Sequence, residues 1–306
     1  MQFLIIIPII LSFLNITNTS NNFTYPEINN INNKTFIKFM DNSSDKNEFP
    51  KKIINDSLGV NVSAKSILVR DLNTDKILFS KNKDEVRQIA SITKLMSAIV
   101  IKDLNVDYEK IIEITKEDSV GDFSKTKLLP GDKLKFKDLL SNSLIVSSNS
   151  GVLCAIKNAN ISEEEFVKKM NQKAKEMGLK NTSFEDATGL SNKNISTAEE
   201  ILKITKLAFS YEDIKLETSQ KKYSFQLDSG KVIEVSNTNE LIGSYLNIKA
   251  GKTGYTEEAG YCLVSEVEYD NKGPILVVVL GSNSHFERFS DLKDVSNWVF
   301  KNYNWR

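Results

Sequence analysis

Ile89-Ala90-Ser91-Ile92-Thr93-Lys94-Leu95-Met96 places a serine and a lysine three residues apart at the head of the most apolar helical run in the chain, Ser91–Leu104 (SITKLMSAIVIKDL). At a spacing of i, i+3 the two side chains share one helical face, within hydrogen-bonding reach. The N-terminus of such a helix leaves backbone N–H groups free to stabilise negative charge. A lysine set among Ile92, Leu95 and Met96 loses hydration, so its pKa falls and its amine becomes a usable neutral base. Alone, the S-x-x-K pattern carries little. It recurs at Ser43, Ser80, Ser124, Ser219 and Ser290, and a helix-capping serine beside a solvated lysine accounts for a random instance.

Two further motifs follow in order. Ser147-Ser148-Asn149 comes after the apolar Leu144-Ile145-Val146, where one helical run gives way to another. Both polar ends can point into a cleft; a cap or Asx turn competes with that reading. Lys252-Thr253-Gly254 occurs once. A strand of small residues lets a substrate backbone lie close. Lys252 offers positive charge and Thr253 a hydroxyl for a carboxylate. A turn between strands is the alternative.

Composition narrows the chemistry. The 306 residues carry 40 Lys plus Arg and 40 Asp plus Glu, so no basic field supports nucleic-acid binding. His285 is the single histidine. It follows the strand-like run Pro274–Gly281 and opens a terminal helix, which suits a loop or cap role. A serine enzyme on this chain then needs another base, and lysine is the candidate. Cys154 and Cys262 form no metal-ligand cluster, so no metal or other cofactor is expected. Two buried free thiols is the simpler expectation for them; one disulfide is the alternative.

Phe3–Leu14 (FLIIIPIILSFL) has the length of a signal-peptide h-region and is too short to span a bilayer comfortably. Residues 1–20 are expected to be a signal peptide or a short N-terminal anchor, and the protein to be exported. No cysteine follows, so a lipoprotein is not expected. Residues 21–57 are rich in Asn, Ser and Thr and read as a flexible linker. The folded part is expected from Leu58 to Arg306. Ser66–Asp71 and Lys76–Ser80 read as a hairpin around Asn73-Thr74-Asp75. Ile111–Ile114 reads as a short strand. Helices are expected near 136–141, 148–159, 163–177 and 197–210, the last capped by Ser196 or Thr197. Strand-like runs follow at 222–227, 231–236, 260–269 and 274–281, and a helix near 286–303 closes the chain. Strands at both ends with helices between them predict an α+β fold: an antiparallel sheet interrupted by a helical insertion.

The three motifs in this order are those of class A β-lactamases and penicillin-binding proteins. The chain resembles the serine-type D-Ala-D-Ala carboxypeptidases, the low-molecular-mass penicillin-binding proteins. The resemblance covers Leu58 to Arg306. It is carried by Ser66–Lys83 (SILVRDLNTDKILFSKNK), Ile89–Met96, Leu128–Ser150 (LLPGDKLKFKDLLSNSLIVSSNS), Phe166–Leu190 with Ser196-Thr197-Ala198, and Gly251–Val264 (GKTGYTEEAGYCLV). It implies a five-stranded antiparallel sheet flanked by helices, with a helical subdomain. It implies that Ser91 attacks the penultimate D-alanine carbonyl of a peptidoglycan stem peptide and that Lys94 takes its proton. Ser147 would relay a proton to the leaving amine, and Asn149 would bond the substrate or Lys94. Lys252, Thr253 and Gly254 would line the substrate strand and hold the terminal carboxylate. The N–H groups of Ser91 and Tyr255 would form the oxyanion hole. β-Lactams would be covalent inhibitors.

The chain departs from the family in three ways. Ser148 stands where glycine is frequent, and Tyr255 where many members have histidine. The second β-domain and amphipathic C-terminal anchor of many members are missing, so any membrane attachment is expected at the N-terminus. Between Ser147 and Lys252 no E-x-x-L-N loop occurs; Glu199-Glu200-Ile201-Leu202-Lys203 is the nearest approach, which disfavours a β-lactamase. A DD-endopeptidase uses the same site and is the principal alternative. A catalytically silent peptidoglycan-binding protein is the non-enzymatic one.

Overall fold

The structure is a computed structural model that describes residues 50–305. The apolar leader and residues 21–49 of the expected linker lie outside the described residues. Lys51–Lys52 (β1) already belongs to the fold. It pairs antiparallel with Tyr303–Asn304. Ile53 N donates to Asn302 O at 2.8 Å, and Trp298 Nε1 donates to Ser57 Oγ at 2.8 Å. Residues 51–57 of the expected linker thus make contacts with the last helix and strand of the chain. A two-residue strand has no alternation to read, and the polarity of Lys51-Lys52 resembles that of the linker before it.

Ser66–Asp71 (β2) and Ile77–Lys81 (β3) form the expected hairpin. Asp71 Oδ1 accepts from Thr74 N at 2.8 Å in its turn. Arg87–Gln88 (β4) leads through a 3-10 turn, Ala90–Ile92, into Thr93–Asp103 (α1). The helical part follows. Ile111–Glu113 (β5) and Lys133–Lys135 (β6) pair ahead of Phe136–Ile145 (α2), Asn149–Asn158 (α3) and Glu163–Glu176 (α4). Ile195–Ser196 (β7) pairs with β4. Ala198–Ala208 (α5) and Glu212–Ser219 (α6) complete it. The chain returns to strands at Lys222–Gln226 (β8), Val232–Ser236 (β9), Asn247–Thr256 (β10), Gly260–Tyr269 (β11) and Lys272–Ser282 (β12). Glu287–Asn302 (α7) and Tyr303–Asn304 (β13) close it.

The main sheet is antiparallel and five-stranded, in the order β10-β11-β12-β2-β3. Its period-2 pattern separates two cores. On β12, Leu276, Val278 and Leu280 face the helical part. Ile275, Val277 and Val279 face α7, where Leu292, Val295 and Val299 cover them. Because the sheet is buried on both faces, its central strands read as unbroken apolar runs. The β8–β9 hairpin stands apart from this sheet; its Phe225, Ile233 and Val235 join the helical core.

Local signals account for the helices. The Ser162 hydroxyl accepts from Glu165 N at 3.2 Å at the start of α4. Phe166, Met170 and Ala174 are its buried stripe, four residues apart. Thr197 caps α5, accepting from Glu200 N at 3.1 Å. Among the described residues no helix is long and apolar enough to cross a membrane.

Candidate active site

Ser91 sits in the 3-10 turn just ahead of α1, not in the first turn of the α-helix itself. Its neighbour Ala90 has φ +47, a conformation that L-residues hold only when surrounding structure imposes it. Gly189 is part of that surround: a Cβ there would lie 1.9 Å from Ala90 O. Lys94 follows in the first turn of α1, wholly buried. Its Nζ lies 2.8 Å from Ser91 Oγ, 2.5 Å from Asn149 Oδ1 and 2.7 Å from the Thr188 carbonyl.

These contacts decide which way the amine points. The amide oxygen of Asn149 and the carbonyl of Thr188 only accept. A neutral amine spends its two N–H groups on them, which leaves its lone pair facing the Ser91 hydroxyl. Burial strips water from the ammonium form and lowers the Lys94 pKa to about 7, against the upward pull of Asp122 and Asp186. An amine poised there is available as a neutral base at physiological pH.

The second motif is held by an element the sequence reading did not single out. Ser147 lies two residues beyond the end of α2, with φ +58, and Ser148 caps α3, accepting from Gly151 N at 3.0 Å. The Asp122 carboxylate accepts from Asn149 N and Ser150 N at 3.0 Å and from Ser148 Oγ at 3.1 Å. A carboxylate at a helix N-terminus meets unpaired N–H groups and the positive end of the dipole. Partial burial raises the Asp122 pKa, but those N–H donors and Lys125 outweigh it and hold the group at about 2.

The third motif lies within β10, an edge strand, and not in a turn. Lys252 is 2% exposed. Its Nζ donates to Ser147 Oγ at 2.7 Å and to Thr253 O at 3.0 Å. Burial first, then the nearby cations Lys94 and Arg288, push its pKa well below the usual lysine value. The Thr253 hydroxyl is 2.6 Å from that of Thr238. Gly254 lets the strand press on the nucleophile turn: a Cβ there would lie 3.1 Å from Ser91 N and 3.2 Å from Ala90 Cβ. Tyr255 is half exposed and stacks on Tyr261 at 4.2 Å between ring centroids.

The structure thus brings Ser91, Lys94 and Asn149 into one hydrogen-bonded cluster, and Ser147 and Lys252 into a second. Gly254 joins β10 to Ser91. Sequence reasoning missed Asp122, Asp186 and Thr188. Asp186 accepts from the N–H groups of Thr188, Gly189 and Ser191 at 2.6–2.7 Å, and so presents the Thr188 carbonyl to Lys94. The signal was there only as part of the Phe166–Leu190 resemblance. Glu199 and Glu200, the nearest approach to a β-lactamase loop, are engaged elsewhere. Glu199 pairs with Arg70 at 2.8 Å, and Glu200 accepts from Lys180 N at 2.8 Å and from Thr182 Oγ1 at 2.6 Å. Cys154 and Cys262 are free and buried.

A serine one turn from a buried amine base, facing an edge strand, belongs to serine hydrolases that work through an acyl-enzyme. The chain belongs to the D-alanyl-D-alanine carboxypeptidase family, which residues 52–284 match. It is 34% identical over 240 residues to a D-alanyl-D-alanine endopeptidase of Pseudomonas aeruginosa, covering 76% of each chain. It is 35% identical over 256 residues to a D-alanyl-D-alanine carboxypeptidase of Bacillus subtilis, covering 78% of this chain and 63% of that one. The crystal structure of a Streptomyces DD-transpeptidase superposes with a TM-score of 0.72 at 27% identity, covering 80% of this chain and all of the other. An ampicillin-bound penicillin-binding protein of Listeria monocytogenes gives 0.68 at 25% identity, covering 80% of this chain.

Proposed function

We propose that this protein is a serine D-alanyl-D-alanine carboxypeptidase that releases the terminal D-alanine of peptidoglycan stem peptides on the outer side of the cytoplasmic membrane. The observation that carries this is the Lys94 amine, buried and bonded to two pure acceptors, with Ser91 Oγ at 2.8 Å as its third neighbour. The Ser91 hydroxyl gives its proton to Lys94 as Oγ bonds to the penultimate carbonyl carbon. The oxyanion is held by the N–H groups of Ser91 and Tyr255. The Ser147 hydroxyl, beside the Lys252 amine, passes a proton to the leaving amine as the C–N bond breaks, and the proton held by Lys94 replaces it, which returns Lys94 to the neutral amine. Lys252 and Thr253 hold the terminal carboxylate, and the free edge of β10 receives the extended substrate backbone. Water, deprotonated by the neutral Lys94 amine, then bonds to the acyl carbonyl carbon, and the C–Oγ bond breaks as Lys94 returns the proton to Ser91 Oγ.

The same attack opens a β-lactam ring, whose leaving group stays tethered. Incubation of the full chain with a fluorescent penicillin, followed by intact mass, tests the reading. Wild type is expected to gain one adduct and Ser91→Ala none. An equal adduct on Ser91→Ala would sink the mechanism.

A second reading, DD-endopeptidase action on cross-links, has support of its own. Relatives named endopeptidases in Pseudomonas aeruginosa and Escherichia coli are matched over 76% and 77% of their lengths, against 63% for the Bacillus subtilis carboxypeptidase. Product analysis on cross-linked and uncross-linked muropeptides separates the two. Export through the leader 1–20, or attachment to the membrane by it, is part of the same proposal.

A further inference from the structure

The single histidine lies beside the third motif. His285 sits in the connection between β12 and α7, and both its ring nitrogens are engaged. Nε2 is 2.7 Å from Glu240 Oε1, and Nδ1 is 3.0 Å from Arg288 Nη2. A carboxylate only accepts and a guanidinium only donates. Nε2 therefore carries the proton and Nδ1 is bare, so one neutral tautomer satisfies both contacts. Arg288 is 5% exposed, and its Nη1 donates to the Gly254 carbonyl at 3.3 Å. Its Nε has no partner. Its guanidinium packs over Tyr261 at 5.5 Å and Phe289 at 4.7 Å. Tyr261 in turn carries the ring of Tyr255.

We propose that His285 is a positioning residue: while neutral it anchors Arg288, with Glu240 behind it, and Arg288 fixes the Gly254 carbonyl and the Tyr255 platform beside Ser91. A proton on Nδ1 sets an N–H against the guanidinium N–H groups and adds a second cation beside a buried one, which ends the contact. The charged and titratable neighbours of Arg288 are Glu240 before β10, Tyr261 and Cys262 on β11, and Lys252 on β10. The inference rests on Ser91 being the nucleophile.

The test measures second-order acylation by a fluorescent penicillin from pH 5 to 9 for the full chain, His285→Asn and His285→Leu, with a melting temperature for each. His285→Asn still offers Arg288 an acceptor and should keep acylation within about threefold of wild type. His285→Leu should lose about tenfold, in affinity more than in the rate at saturation. A His285→Leu profile superimposable on wild type would overturn the proposal, as would equal losses in His285→Asn and His285→Leu. If His285→Leu does not fold, a loss of more than about tenfold in a His285→Asn protein with the wild-type melting temperature would overturn it. An unreactive wild type would instead count against the Ser91 reading.

Discussion

Lys252 Nζ and Ser147 Oγ lie 2.7 Å apart although 105 residues separate them in the chain. One stands on the edge of the main sheet and the other just beyond the end of α2, so this bond joins the sheet to the helical part at the cleft. In the proposed mechanism it also gives the two side chains a shared task. A hydroxyl beside a buried amine is polarised for proton transfer, and the amine is held toward the space that a substrate carboxylate enters.

Substitutions at the two ends should therefore differ in kind. Ser147→Ala is expected to slow acylation by about 10²-fold with little change in ligand affinity, because it removes a proton-transfer group. Lys252→Ala is expected chiefly to weaken capture of carboxylate-bearing ligands. Single-turnover acylation across penicillin concentrations separates the two effects. Because the groups touch, the double variant should lose less than the product of the single losses. Fully multiplicative losses would show that the bond carries no function.

Lys94 sets the pH dependence. With its pKa lowered to about 7 by burial, acylation should rise with pH through that value and level off above it. Lys94→Ala should cost at least about 10²–10⁴-fold at every pH. The sign for stability follows from linkage. In the unfolded chain Lys94 titrates near its ordinary 10.5. Between about 7 and 10.5 the unfolded chain binds a proton that the fold does not, so this position gains stability as pH rises across that window and is flat below it. The stability of Lys94→Met relative to wild type should accordingly fall between pH 7 and pH 10, as denaturant unfolding at several pH values would show. A pH-independent difference would place the Lys94 pKa outside that window.

Much of this site was legible because it is made of side chains in linear motifs. Ser91 and Lys94 stand three residues apart at the head of the most apolar helical run, and the two later motifs single that pair out among the S-x-x-K repeats. The five-stranded sheet was legible in outline from its apolar runs. What stayed hidden was backbone or irregular structure. The Thr188 carbonyl is a group every residue carries, so no residue type announces it. Asp122 lies in a 3-10 segment with no periodicity, and it reaches α3 only through the tertiary fold. Lys51–Lys52 pairs with the far end of the chain without any hydrophobic pattern of its own. Arg288 reads as one charge on an amphipathic helix until Gly254 is placed against it.

Asp122 yields a prediction of its own. Its carboxylate caps the helix that carries Asn149 and meets the Lys94 cluster through the Asn149 backbone N–H. Asp122→Ala leaves the N–H groups of Asn149 and Ser150 unpaired and is expected to cost about 1–2 kcal/mol of stability. Acylation should fall with it, because Asn149 no longer has a fixed position. The folded-state pKa of about 2 lies below the ordinary 3.8. Its stabilisation is therefore full above about pH 4 and is lost as pH falls toward 2. Acid unfolding of wild type and Asp122→Asn should thus converge at low pH. Parallel curves down to pH 2 would show that the carboxylate charge does no stabilising there.

Gly189 makes the sharpest steric case. It has φ +91, and an added Cβ would lie 1.9 Å from Ala90 O and 2.9 Å from Ser91 N. Two costs coincide: an L-residue in a glycine conformation, and an overlap with backbone that has no rotamer to give way. The neighbour that must move is Ala90, itself at φ +47 and directly before the nucleophile. Gly189→Ala is therefore expected to lose more than about 3 kcal/mol and, where it folds at all, to be acylated far more slowly than its remaining stability accounts for. Gly254→Ala presses on the same turn from the other side, but at 3.1–3.2 Å, distances a small shift relieves. It should fold with a modest loss and reveal itself in acylation instead. Melting temperature and acylation rate for both variants check the ordering. A Gly189→Ala protein as stable and as reactive as wild type would mean that the Asp186–Ser191 loop does not brace the nucleophile turn.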